Sequence, residues 1–164
     1  MTLRLGDLAP DFVAPSTQGA LRFHEYLGDG WGVLFSHPRD FTPVCTTELG
    51  AVAALQAEWA RRQVRVVGLA VDAVADHIRW VRDIVAVTGA TPYFPLVGDA
   101  DRGVATLYDM VHPNALDTAT VRSVFVISPD KRIQLLQTYP AALGRSFSEL
   151  LRAIDGLQRA WKHP

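Results

Sequence analysis

Two periods of apolar residues run through this chain, and they divide it into alternating strands and helices. Trp31–Ser36 (WGVLFS) is a short apolar run closed by a proline two residues on, which predicts a buried strand. Thr46 to Arg62 is rich in Ala, Leu and Glu; Leu49, Val52, Ala53 and Leu55, with Ala57 and Trp59 beyond, fit a helix. Val64–Val71 (VRVVGLAV) predicts a second buried strand because β-branched residues fill it. Ala75–Val87 predicts a helix with Ile78, Val81, Ile84 and Val85 on one face. Phe94–Val97 is a short strand and Arg102–Asp109 a short helix. Val121–Ile127 and Arg132–Thr138 flank the turn sequence Pro129-Asp130-Lys131, so they predict an antiparallel hairpin. Ser146 opens a last helix through Trp161, with Glu149 three residues on as its capping box. The predicted order is β-α-β-α-β-α-β-β-α, an α/β chain with a mixed central β-sheet and helices on both faces.

Composition narrows the classes of function. The 164 residues fit a single domain spanning the chain and suffice for a sizeable core. A formal net charge of -1, with Arg61, Arg62 and Arg65 interleaved among acids and apolar residues, offers no basic tract for nucleic acid. No apolar stretch reaches the ~18 residues of a membrane span. The first ten residues lack the apolar core of a secretory signal, so a cytoplasmic or equivalent reducing compartment is expected. Cys45 is the only cysteine, which rules out an intramolecular disulfide. His24, His37, His77, His112 and His163 show no ligand-like spacing of about three to five residues, so no metal is expected, and no cofactor.

The chemistry concentrates in His37-Pro38-Arg39-Asp40-Phe41-Thr42-Pro43-Val44-Cys45-Thr46-Thr47-Glu48, which follows a buried strand and opens a helix. Free N–H groups and the helix dipole in a first turn favour a thiolate over a thiol. Thr42, one turn earlier, can bring its hydroxyl to the same pocket. Glu48, three residues after Cys45, shares its helix face, and a carboxylate there calls for a nearby cation. Arg122, at the start of a strand, is the candidate. Each residue also has a plainer reading. A lone cysteine is more often buried and inert. Thr42 can be a helix N-cap, Pro38 and Pro43 loop punctuation, and Arg122 a strand residue at the surface.

Pro38-x-x-x-Thr42-x-x-Cys45 resembles the peroxiredoxin active-site motif, and Ser36–Gly50 (SHPRDFTPVCTTELG) resembles the one-cysteine branch related to mammalian peroxiredoxin six. Ala9–Phe12, Arg22–His24, Thr120–Arg122, Val124–Val126, Tyr139-Pro140 and Gly144-Arg145 extend the likeness over nearly the whole chain. The predicted element order is also the ground plan of a thioredoxin-like domain. The resemblance implies a thiol-dependent peroxidase. Its Cys45 thiolate attacks the distal oxygen of hydrogen peroxide or an organic hydroperoxide and becomes a sulfenic acid, which an external thiol resolves. Thr42 would hold sulfur and peroxide, Arg122 and the helix N–H groups would stabilise the polarised O–O bond, and Pro38 would shield the sulfur. His37, Glu48 and Arg145 would support these, Glu48 by orienting Arg122. A homodimer is implied, with no stable membrane association. A peroxide sensor or holdase chaperone using the same cysteine is the alternative. A disulfide reductase is disfavoured because Glu48 stands where a second cysteine of Cys-x-x-Cys would be.

The sequence departs from these relatives in two places. Longer members carry a Gly-Asp-Ser-Trp-Gly segment whose serine is assigned a phospholipase role with a histidine and an aspartate. Here it reads Gly28-Asp29-Gly30-Trp31-Gly32, with His24 and Asp130 at the partner positions, so no serine-dependent lipase is expected. Relatives also continue in a C-terminal segment that is expected to be absent or truncated here, which bears on dimerisation and pocket closure.

Overall fold

The computed structural model describes residues 2–111 and 120–163; His112 among the histidines lies outside them. Seven strands form one mixed sheet: β1 (Val13–Ser16), β2 (Gly19–Arg22), β3 (Trp31–Ser36), β4 (Val64–Ala70), β5 (Leu96–Gly98), β6 (Arg122–Ile127) and β7 (Ile133–Tyr139). Their order is β2-β1-β5-β4-β3-β6-β7. β3 runs parallel to β4 and antiparallel to β6. The helices are α1 (Phe23–Leu27), α2 (Pro43–Ala54), α3 (Gln56–Arg61), α4 (Val74–Thr88), α5 (Gly103–Leu107) and α6 (Phe147–Lys162).

Strand alternation sends side chains to two separate cores. Val33, Phe35, Val66, Val124 and Val126 face Leu49 and Val52 of α2, Trp80 and Ile84 of α4, and Phe147 and Ile154 of α6. Leu34, Val67, Leu69, Phe125 and Ile127 face Phe23 and Leu27 of α1 and Val104 and Ala105 of α5. Helices therefore cover both faces, as the sequence pattern predicts. Arg122 precedes Val124 and Val126 with the same parity, so its side chain enters the face that carries α2.

Several boundaries differ from the sequence reading. The helix expected from Thr46 begins at Pro43, because proline suits a first helical position. It breaks at Leu55, where ψ is 17°, so α3 is a separate short helix. The hairpin of β1 and β2 and the short α1 were not anticipated; Pro15 inside β1 hides a strand. On α4 the buried residues are His77, Trp80 and Ile84, with Ile78 half-exposed. The apolar face expected through Ile78 and Val85 is thus rotated toward His77.

Candidate active site

The site lies where β3, β6 and the N-terminus of α2 converge. Pro43 and Val44 precede Cys45 in the first turn of α2, with Thr42 at the N-cap. The first turn leaves the Val44 and Cys45 N–H groups without intrahelical acceptors. The Thr42 hydroxyl does not cap the helix; it donates to the Arg39 carbonyl at 3.0 Å. Phe41 holds φ at 63°, a left-handed conformation unusual for an aromatic residue, just before this cap. Cys45 is fully buried. Around it Pro38 and Thr42 are half-buried, and Phe41 and Val44 are exposed.

Arg122 Nη1 lies 3.4 Å from the Cys45 sulfur and donates to Glu48 Oε1 at 2.5 Å. Its Nε donates to the Ala141 carbonyl at 2.7 Å, which fixes the plane of the guanidinium. Arg145 grips Glu48 from the other side. Its backbone N–H and Nε donate to Oε2 at 2.5 and 3.0 Å, and Nη2 donates to Oε1 at 3.0 Å. Its Nη1 reaches the Ser123 carbonyl at 2.8 Å, and its guanidinium carbon sits 5.5 Å from the ring centres of Phe35 and Phe147. Burial pushes the Glu48 carboxyl up, but the hydrogen bonds and charge of Arg145 and the charge of Arg122 outweigh it and hold it below its ordinary value. One carboxylate between two guanidiniums leaves a surplus positive charge beside the sulfur, which a thiolate would balance.

The structure therefore brings Cys45, Arg122, Glu48 and Arg145 into one bonded cluster. Thr42 and Pro38 lie in the connecting loop. His37 is placed differently: its buried ring bonds not to the arginines but to Asp40, Nε2 to Oδ1 at 2.7 Å. The other Asp40 oxygen accepts from His77 Nδ1 at 2.5 Å. Neither Asp40 nor His77 was singled out in the sequence. Asp40 sits inside the quoted motif. His77, Trp80 and Ile84 recur at helical spacing on α4, and a histidine on such a buried stripe was the available signal.

Gly30 meets its environment tightly. A Cβ there would lie 2.7 Å from the Gln63 carbonyl oxygen, so a serine does not fit this backbone. His24 Nε2 bonds to the Ala9 carbonyl at 2.8 Å, and the Asp130 carboxylate accepts from Ser128 Oγ. Both residues have structural partners of their own.

A mixed sheet with helices on both faces, and a buried sulfur at a helix N-terminus beside an arginine, define the thioredoxin-like thiol peroxidases. A sequence profile of the AhpC/TSA family matches residues 5–136, and the chain belongs to that family, in its one-cysteine peroxiredoxin branch. It is 49% identical to peroxiredoxin-6 of Rattus norvegicus, over 99% of this chain and 76% of the relative. It is 48% identical to the 1-Cys peroxiredoxin of Dictyostelium discoideum, over 98% of this chain and 67% of the relative. Among solved structures, a yeast mitochondrial 1-Cys peroxiredoxin superposes with a TM-score of 0.93 at 49% identity, covering 98% of this chain and 79% of that one. A cysteine-to-serine mutant of the peroxiredoxin 6 of Arenicola marina gives 0.90 at 47% identity, covering 95% and 74%.

Proposed function

We propose that the chain reduces hydrogen peroxide and organic hydroperoxides at Cys45. The observation that carries this reading is the 3.4 Å approach of Arg122 Nη1 to the Cys45 sulfur at the start of α2. The thiolate attacks the distal oxygen, the O–O bond breaks, and the departing alkoxide takes a proton to leave as alcohol, or as water from hydrogen peroxide. Cys45 becomes a sulfenic acid. Arg122 and the Val44 and Cys45 N–H groups stabilise the charge moving onto the leaving oxygen. The Thr42 hydroxyl orients the peroxide against the sulfur. Glu48 and Arg145 hold Arg122 in place, His37 supports the loop from beneath, and Pro38 keeps bulk water away. A small displacement of the rim at Phe41 and Val44 admits the substrate.

With a single cysteine, the sulfenic acid needs an external thiol, which condenses with it and releases water; a second thiol then restores Cys45. The yeast relative is described as resolved through glutathione and thioredoxin systems, and a thiol of that class is the reductant expected here. The working form is a homodimer in a reducing compartment such as the cytoplasm. No helix among the described residues is long and apolar enough to cross a membrane.

Stopped-flow oxidation of the reduced protein by hydrogen peroxide and by an organic hydroperoxide tests the proposal. A rate constant near or above ~10⁵ M⁻¹s⁻¹ is expected, in the range of efficient catalysts. Cys45→Ser should keep the circular dichroism of the parent and lose thiol-dependent turnover. Peroxide consumption by that variant at the parent's rate would overturn the assignment.

A further inference from the structure

Beneath the active-site loop lies a polar cluster built around Asp40. The side chains of His37, Asp40 and His77 are wholly buried. Asp40 bridges the two rings through its two oxygens. The second nitrogen of His77, Nε2, lies 2.9 Å from the Val97 carbonyl oxygen on β5. A carbonyl only accepts, so Nε2 carries a hydrogen. Nδ1 faces a carboxylate oxygen. With Asp40 held below its ordinary value as a carboxylate, which only accepts, both ring nitrogens of His77 donate, and a ring that donates twice is an imidazolium. His37 differs. Its Nε2 donates to Asp40, while Nδ1 is buried without a partner. A charged ring with an unpartnered buried N–H is costly, so His37 is assigned as the neutral Nε2–H tautomer.

The same helix holds the loop a second time. Trp80, one turn after His77 on α4, donates Nε1 to Thr46 Oγ1 at 3.0 Å, and that hydroxyl donates to the Thr42 carbonyl at 2.7 Å. The Trp80 ring also packs against His37, with centroids 4.8 Å apart. One face of α4 thus grips both ends of the segment that carries Pro38 and Thr42. The His37 backbone is pinned as well, by the Leu69 carbonyl and the Thr120 hydroxyl.

We propose that His77 is a positioning residue of the peroxidase site: a buried imidazolium that holds Asp40 as a carboxylate, and through Asp40 fixes both the His37–Thr42 loop and the tautomer of His37. This rests on the reading of Cys45 as the reacting group. The titratable groups facing the cluster are His37, Asp40 and Asp72. For His77, burial alone would lower its proton affinity; the hydrogen bond and charge of Asp40 reverse this and raise it. Burial dominates at His37 and lowers its affinity. Asp40 stays below its ordinary value, because the two rings outweigh its burial. Asp72 is pushed up, by burial first and then by the Asp40 charge. A neutral side chain at position 77 leaves Asp40 without its counter-ion. Asp40 then gains a proton more readily, and the loop loses its anchor.

Nitrogen-15 NMR of the histidine rings tests the protonation states without reference to peroxide. Two protonated nitrogens at His77 over the neutral pH range, where an ordinary histidine has lost its proton, with a neutral Nε2–H ring at His37, are expected. A neutral His77 in that range, or stoichiometric metal bound to the cluster in the purified protein, would overturn the proposal. In kinetics, His77→Gln should slow Cys45 oxidation by about tenfold to a hundredfold, the scale of a small misplacement of reacting groups, and should change its pH profile. Ile84→Val on the same helix is the control for destabilisation alone and should keep both rate and profile. A rate and profile for His77→Gln equal to the parent's would show that the cluster merely fills the core.

Discussion

Glu48 shows what a single buried charge does here. It accepts from both Arg122 and Arg145, and its side chain is only 5% exposed. Neutralising it strands two guanidiniums in the core, which typically costs about 3–5 kcal/mol. Glu48→Gln should therefore unfold at clearly lower urea than the parent at neutral pH. Its carboxyl sits below the ordinary value of 4.5 in the folded protein. Its stabilising contribution is then complete above that ordinary value, and it is lost as pH falls through the lower folded value. Urea titrations below about pH 4.5 should show stability falling more steeply for the parent than for Glu48→Gln. Parallel acid limbs would mean that the two arginines do not hold Glu48 ionised.

At the scale of elements, the contact between α2 and α4 matters most, because one helix carries Cys45 and the other carries His77. They approach closely at Gly50, where an added Cβ would collide with the Thr88 side chain. Gly50→Val should push the helices apart and cost about 1–3 kcal/mol, the usual range for overpacking. Thermal denaturation measures the loss, and oxidation of Cys45 should slow in the same variant. Much at this scale was legible in the sequence. β3, β4, β6, β7 and α6 fall within a residue or so of the apolar runs that predict them, and Ser146 accepts from the Glu149 N–H as half of the expected capping box, while the Glu149 carboxylate accepts from Arg152 instead. Arg122 was a candidate because the carboxylate of Glu48 calls for a cation, while the grouping of Arg145 with Cys45 and Glu48 came from resemblance, since strand parity alone gives a face and not a partner. Asp40 and His77 stayed hidden. Their pairing is a tertiary contact between a loop and a distant helix, and the rule of short histidine spacings sees only local sequence. The face of α4 was misjudged for the same reason: Ile78 and Val85 look like core residues, but burial went to a histidine with a partner.

For the molecule as a whole, the ends of the sheet are unlike. β2 is four residues long and bears Arg22. β7 is seven residues, Ile133 to Tyr139, without a charge or a proline. Only its first residue is matched on the outer side among the described residues, where the Ile133 backbone bonds to Gly6 and Asp7. Such an edge pairs readily with another strand. Sedimentation should show a dimer that Leu136→Lys converts to monomer; an unchanged dimer in that variant would place the contact elsewhere. Joining β7 to β7 about a two-fold axis would use up both reactive edges at once. The merged sheet then ends on β2 at either side, short and charged, where no further strand is welcome. A dimer of that kind would be self-terminating, with an uncharged segment that could otherwise seed a cross-β fibre spent in making a closed particle.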